Sequence, residues 1–186
     1  MARVESSMMR LGTIAPAFSL PDVVSEKRIT LSEVKSDIAT VVVFICNHCP
    51  YVKHINAKLV EVANKYQPKG VQFIAISSND VQTHPQDAPE LMKQVAEEQS
   101  YPFPYLYDET QEVAKAYKAE CTPDFFMFDG DLKCVYRGQF DESRPNKGEA
   151  TGKDLSEALN AVIAGNKVSE EQKPSIGCNI KWKLLM

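Results

Sequence analysis

The sequence is poor in the features that bind phosphate groups, nucleic acids and membranes. It has only eight glycines in 186 residues, and none lies in a phosphate-binding glycine loop. Lys and Arg total 21 against 25 Asp and Glu, and no basic block offers a surface to a nucleic acid. The longest apolar run, residues 38–46, is about half of the ~20 residues that a membrane span needs. We therefore expect neither a nucleic-acid nor a membrane partner.

Further absences bear on chemistry and location. The chain has no Gly-x-Ser-x-Gly and no His-Glu-x-x-His sequence, the signatures of many serine hydrolases and zinc proteases. Its first seven residues lack the apolar stretch of a secretory signal, and we expect a cytoplasmic protein. Because the cytoplasm keeps thiols reduced, we expect the five cysteines to be reactive, metal-binding or packed in the core rather than structural disulfides.

What the sequence does contain is an alternation of short apolar runs with segments of helical periodicity, which predicts an α/β fold. Residues 40–45 form a β-branched run without polar alternation, typical of a strand that is buried on both faces. The next segment places Ile55, Leu59 and Val62 on one helical face, and residues 71–77 predict a second strand. This order of strand, helix and strand is long enough for a right-handed parallel crossover.

The second half of the chain completes a single predicted domain. Residues 121–129 and 132–137 flank a Gly-Asp turn, which predicts an antiparallel hairpin. A final helix carries Leu155 and Leu159 on its apolar face and ends near Gly165. We expect one domain over residues 1–186, with a core over residues 12–166 and a C-terminal tail over residues 167–186.

A Cys-x-x-Cys sequence, Cys46-Asn47-His48-Cys49, ends the predicted central strand, and Pro50 suits the first turn of the helix. We expect Cys46 just before the helix or at its cap, where free N–H groups and the macrodipole bring its pKa below the free value of about 8.5. Cys49, one helical turn on, is predicted within disulfide reach. One cysteine attacks and the other resolves the mixed disulfide. A protonated His48, with Asn47 beside it, would tune the pair further.

Four segments together carry a family resemblance. Residues 15–22 (Ala-Pro-Ala-Phe-Ser-Leu-Pro-Asp) form an N-terminal signature, residues 46–50 form a redox motif, Thr122-Pro123 precedes the hairpin, and residues 128–130 form its turn. The chain resembles the thioredoxin superfamily, and most closely its alkyl hydroperoxide reductase/thiol-specific antioxidant (AhpC/TSA, redoxin) branch. The resemblance implies a thioredoxin-like fold: a central mixed β-sheet flanked by helices, with an N-terminal extension and a C-terminal tail.

The resemblance also implies a role for Thr122 and Pro123. The family carries a cis-proline at this point, facing the two sulfur atoms. A cis bond here would leave the Thr122 amide free to pair with an extended substrate, and both residues are therefore candidates for substrate binding. The sequence alone also allows an ordinary trans-proline at the start of a strand.

Three positions depart from the family pattern. Thioredoxins usually have Trp before the first cysteine, where this chain has Ile45. Against the peroxiredoxin pattern Pro-x-x-x-Thr/Ser-x-x-Cys, Cys49 occupies the peroxidatic position, Cys46 replaces Thr/Ser and Val42 replaces Pro. These departures favour dithiol exchange over efficient peroxide reduction.

The remaining cysteines suggest a second thiol pair. Cys121 precedes Thr-Pro, and Cys178 follows Gly177, which permits a close backbone approach. We hypothesise that the tail returns to the active-site face and that Cys178 pairs or exchanges with Cys121, the alternative being two free packed thiols. Cys134 is expected to fill the core.

The sequence is compatible with three functions. The first is a thiol–disulfide oxidoreductase with a role in antioxidant defence or redox homeostasis, which cycles Cys46 and Cys49 between dithiol and disulfide. It needs no metal or organic cofactor, and its partners are protein or small-molecule disulfides and a cellular thiol reductant. The second is a thiol peroxidase that reduces hydroperoxides. The third is a metal-binding module, in which Cys121, Cys178 or His48 adds a ligand to the two cysteines.

Overall fold

A five-stranded mixed sheet is the centre of the fold, which a computed structural model describes for residues 3–184. Its strands, in spatial order, are β6 (Tyr105–Tyr107), β5 (Val71–Ser77), β4 (Ala39–Phe44), β8 (Asp124–Asp129) and β9 (Cys134–Gly138). β4 pairs in parallel with β5 and antiparallel with β8. All six residues of β4 are buried, as its apolar run predicts.

Helices cover both faces of this sheet. They are α1 (Leu31–Val34), α2 (Pro50–Tyr66), α3 (Pro89–Glu98), α4 (Glu112–Tyr117) and α5 (Lys153–Ile163). Because side chains alternate along a strand, Val43 of β4 enters one core with Leu59 of α2, while Phe44 enters the other with Tyr117 of α4. The predicted α/β fold, with its parallel crossover and its hairpin, is confirmed.

Two smaller sheets tie the ends of the chain to this core. β2 (Ser19–Pro21) pairs with β3 (Arg28–Thr30), and β10 (Ile176–Asn179) lies between β1 (Arg3–Glu5) and β7 (Cys121–Thr122). The sequence predicts no element in the tail, because four residues are too few to show a period. β10 forms because β7 and β1, both distant in sequence, supply its backbone partners.

Two properties of the helices remain, the burial of α3 and the length of the apolar segments. In α3, Met92 and Ala96 are the buried residues, and 41% of Leu91 is exposed. Within residues 3–184, no helix is both long enough and apolar enough to cross a membrane.

Candidate active site

The Cys-x-x-Cys sequence forms the loop between β4 and α2. Cys49 is the N-cap residue of α2, and Pro50 is its first residue. The N–H of Ile45 still bonds to the carbonyl of Ile76 in β5, at 2.9 Å, so the loop leaves directly from the sheet. Cys46 and Cys49 are both buried. Cys46 lies just before the helix, one of the two positions predicted for it, and Cys49 is the cap residue.

Thr122 lies against both sulfur atoms. Its hydroxyl is 3.5 Å from Cys46 Sγ, and its carbonyl oxygen is 3.2 Å from Cys49 Sγ, from which it accepts a hydrogen bond when Cys49 is protonated. The peptide bond between Thr122 and Pro123 is cis. The site therefore brings together the two predicted catalytic cysteines and the two predicted substrate-binding residues.

The two cysteines differ in acidity, and in the opposite sense to the prediction. The neighbouring thiols of Cys178 and Cys46 favour the charged form of Cys49, and this lowers the pKa of Cys49 well below its ordinary value. The pKa of Cys46 is raised, because its thiol donates to Cys49, because it is buried, and because Asp87 is close. The predicted acidic thiol, Cys46, is thus the protonated partner.

The other cysteines do not form the predicted pair. In the pairing of β10 with β7, Cys178 lies opposite Thr122, and Cys121 lies opposite Asn179. Side chains of successive strand residues point to opposite faces, so Cys178 and Cys121 point away from each other. All five cysteines are free, and Cys178 contacts Cys49 instead. Cys134 is buried on β9 among apolar side chains, as expected.

The sequence profile of the AhpC/TSA family matches residues 11–137, which include the Cys-x-x-Cys loop, the cis-proline and the hairpin. The chain belongs to the AhpC/TSA family. This confirms the resemblance and places the protein among redox enzymes. Among curated proteins, no significant match to the sequence was found.

Two solved structures resemble this AhpC/TSA protein over nearly its whole length. An uncharacterized conserved protein from Geobacillus kaustophilus is 61% identical, with a TM-score of 0.98 over 100% of this chain and 99% of that one. A hypothetical protein from Sinorhizobium meliloti 1021 is 45% identical, with a TM-score of 0.94 over 97% and 99%. A thiol:disulfide interchange protein of the thioredoxin family from Chlorobium tepidum TLS is 18% identical, with a TM-score of 0.64 over 84% and 99%, and shares the thioredoxin-like fold.

A buried carboxylate, Asp87, holds the active-site loop of the AhpC/TSA protein. Its Oδ1 accepts the backbone N–H groups of Asn47 at 2.8 Å and His48 at 3.3 Å. Its Oδ2 lies 2.6 Å from His48 Nδ1 and accepts the side-chain amide of Asn79 at 2.8 Å. The same His48 nitrogen is 3.8 Å from Cys46 Sγ. His48 therefore lies beside Cys46, but its position is set by Asp87.

Sequence reasoning missed Asp87. One signal for it was available: the polar run that begins at Ser78 follows β5, whose parallel neighbour β4 ends at the Cys-x-x-Cys loop. The carboxyl ends of parallel neighbours lie at the same edge of a sheet, where ligands usually bind. The sequence could thus have predicted that the long loop after β5 lies at the site. It could not have predicted which carboxylate of that loop would reach the Cys-x-x-Cys residues.

The remaining loop contacts concern Asn47 and the histidines. The Asn47 side chain donates to the carbonyl of Gln86 at 3.0 Å and accepts from the Tyr105 hydroxyl at 3.1 Å. These bonds anchor the loop to its neighbours. His84, to which the sequence assigns no role, stacks on His48 with ring centres 5.2 Å apart. Among the described residues, nothing bonds to the buried His48 Nε2.

Three side chains in this loop region could provide a metal ion with one sulfur, one nitrogen and one oxygen ligand. The ligand atoms of Cys46, His48 and Asp87 lie within 4.8 Å of one another. However, the Asp87 oxygens already accept two backbone N–H groups and the Asn79 amide, and contact the His48 ring. A cation bound there would have to displace these groups, and the donor set fits a hydrogen-bonded loop better than a metal site.

Proposed function

We propose that this AhpC/TSA protein is a thiol–disulfide oxidoreductase that cycles Cys46 and Cys49 between dithiol and disulfide. The observation that carries the proposal is the position of both sulfurs against Thr122 of the cis-proline loop, at the start of α2. A thiolate that is stabilised at this position is the nucleophile that disulfide exchange requires. The proposal assigns the protein to thiol redox homeostasis.

The acidities assign the steps of the reaction. Cys49, as thiolate, attacks one sulfur of a substrate disulfide, and the other substrate sulfur leaves as a thiolate. Cys46 loses its proton and attacks Cys49 Sγ, which releases the second substrate thiol and leaves the Cys46–Cys49 disulfide. The protein gives two electrons, and a thiol reductant restores them. The expectation that Cys46 has the lowered pKa is reversed here, because Cys49 holds the thiolate.

The substrate is proposed to be a protein or small-molecule disulfide, with one restriction. The resemblance implies that an extended substrate would pair with the backbone at Thr122. In this chain β10 already pairs there, with Cys178 opposite Thr122. An extended protein substrate can therefore pair with β7 only after β10 has moved.

A redox titration of the Cys46–Cys49 couple, followed by mass mapping of alkylated cysteines, tests the proposal. We expect both cysteines to become protected from alkylation together as the glutathione buffer is made more oxidising. Cys49→Ser should abolish reduction of a small disulfide. Cys134→Ser should not, because Cys134 is a buried thiol in the core on the opposite face of the sheet. A wild-type protein that stays fully reduced in an oxidising buffer would refute the proposal.

Peroxide reduction is a second candidate, and the acidity of Cys49 favours it. Cys49 occupies the peroxidatic position of the family pattern and carries the lowered pKa. Its thiolate would attack a hydroperoxide, form sulfenic acid and release an alcohol or water; the Cys46 thiol would then condense with it to give the disulfide and water. If the wild type consumes hydrogen peroxide quickly and Cys49→Ser does not, this function takes precedence.

A further inference from the structure

The C-terminal strand β10 occupies the edge of β7 where the family resemblance predicts a substrate. It runs antiparallel to β7, and the residue opposite Thr122 is Cys178. A cysteine of the chain itself is therefore held at the point where a substrate cysteine would meet the redox pair. Cys178 is buried in the same core cluster as Cys46 and Cys49.

Gly177 allows this close approach. A Cβ atom at this position would lie 2.0 Å from the Thr122 carbonyl oxygen and 2.6 Å from its carbon. Both are backbone atoms, so no side-chain movement could relieve the overlap. β10 can thus lie against the cis-proline loop only because residue 177 has no side chain.

Cys49 is the central sulfur of a group of three. Its Sγ lies 3.2 Å from the carbonyl oxygen of Thr122, and the Thr122 hydroxyl lies 3.5 Å from Cys46 Sγ. Cys178 faces the same Thr122 across the pairing of β10 with β7, and side chains of opposed strand residues point to the same face. Both neighbouring thiols thus lie around Thr122 with Cys49, so each is in place to attack Cys49 Sγ once that sulfur carries a disulfide. No other cysteine of the chain has this contact, since Cys121 points to the opposite face of the same strand pair.

We propose that Cys178 is a third redox-active thiol, which competes with Cys46 for a disulfide bond to Cys49. The inference rests on the proposed dithiol function. In the exchange step, Cys178 sulfur attacks Cys49 Sγ of the Cys46–Cys49 disulfide and forms the Cys49–Cys178 bond. Cys46 leaves as a thiolate and takes up the proton that Cys178 gave up. No electrons are gained or lost, so the step needs no additional oxidant.

Mass mapping of disulfide-linked peptides tests the proposal directly. Trypsin leaves Cys46 and Cys49 together in the peptide 36–53 and Cys178 in the peptide 168–181. After oxidation with oxidised glutathione, we expect these two peptides linked in the wild type. The linked form should increase in Cys46→Ser, where the competing thiol is absent, and disappear in Cys49→Ser. Cys121→Ser is the matched control and should leave the link unchanged.

Turnover of a small disulfide gives an independent measurement. Cys46→Ser should still release both thiols of oxidised glutathione, because Cys178 resolves the mixed disulfide. Cys46→Ser/Cys178→Ser should stop after the first thiol and accumulate glutathionylated Cys49. Circular dichroism of each variant verifies that the fold is retained, and Cys178→Ala serves as an alternative if the serine variant unfolds.

The outcomes separate this inference from the proposed function. A wild type with a Cys46–Cys49 disulfide, but no link to Cys178 in any variant and no turnover in Cys46→Ser, overturns the role of Cys178 alone. A wild type without any oxidation of Cys46 and Cys49 overturns the dithiol function as well.

Discussion

At the scale of single residues, the two cysteines of the redox loop differ because of what their sulfur atoms face. Cys49 accepts hydrogen bonds at the N-cap of α2, where free N–H groups favour an anion. Cys46 is a donor to Cys49 and lies near the Asp87 carboxylate, which opposes a second negative charge. One thiolate and one thiol in contact are the combination that disulfide exchange needs.

The pH dependence of the thiolate absorbance measures this difference. Since the pKa of Cys49 is lowered, we expect the ultraviolet band of a thiolate to persist below about pH 8.5, the pKa of a free cysteine. Cys49→Ser should lose that band, and Cys121→Ser should keep it. If the band in the wild type appears only as the pH rises above that value, the assigned acidity is wrong.

Asp87 offers a second test at this scale. Asp87→Asn replaces a carboxylate that faces N–H groups on both oxygens with an amide that has one acceptor oxygen. Unpaired buried donors should lower the free energy of unfolding by about 1–3 kcal/mol. Urea denaturation measures this loss.

The exposed Asp131 supplies the control for that measurement, because its side chain is 79% accessible. Asp131→Asn should change the unfolding free energy little. Equal stabilities of Asp87→Asn and Asp131→Asn would mean that the loop does not depend on the Asp87 bonds.

At the scale of elements, local pattern predicted those segments whose apolar residues are either periodic or uninterrupted. β4 shows this best, because an uninterrupted β-branched run leaves no other element plausible. β10 was not predicted, because Ile-Gly-Cys-Asn carries no local preference and pairs only with chain segments far away in sequence. The cysteine on that unpredicted strand was consequently assigned to the wrong partner.

Gly177→Ala probes the packing of β10. The added methyl group would overlap the Thr122 carbonyl, so β10 must shift away from β7. Overpacking of this kind costs about 1–3 kcal/mol, which urea denaturation would detect. Ile176→Val, one residue earlier on the same strand, should cost less because it removes a methylene from a half-buried site. An unchanged stability of Gly177→Ala would contradict the close approach.

At the scale of the whole molecule, a buried ion pair connects β8 with β9. Asp124 Oδ2 is 2.9 Å from an Arg137 guanidinium nitrogen, and both side chains are almost fully inaccessible. Burial raises the pKa of Asp124 to about 6. The folded protein therefore holds this proton more tightly than the unfolded chain, where an Asp titrates near about 3.9.

The sign of the pH dependence follows from this shift. The contribution of Asp124 to stability is complete below about pH 4 and is lost as the pH rises through about 6, a change of about 3 kcal/mol. Asp124→Asn should remove this slope from plots of unfolding free energy against pH. Asp37→Asn, at an exposed carboxylate, should keep it. Identical slopes in both variants would show that Asp124 is not the group responsible.

The single-domain prediction for residues 1–186 remains a proposal, and the only tryptophan of the chain tests it. Trp182 lies in the tail beside Lys181 and Lys183, whose backbone groups bond to the Gln111 side chain. If tail and core unfold as one cooperative unit, tryptophan fluorescence and far-ultraviolet circular dichroism should give coincident denaturation curves. An earlier fluorescence transition would show that the tail detaches first.

The amino-acid sequence by itself determined the α/β order, the buried central strand, the family and the position of the redox pair, because local periodicity and short motifs encode each of them. Only the tertiary structure decided which thiol is acidic, which carboxylate holds the loop and where Cys178 lies. Those features depend on groups such as Asp87 and β10, which folding brings to the sulfurs from distant parts of the chain, and acidity depends on what surrounds an atom rather than on its neighbours in sequence.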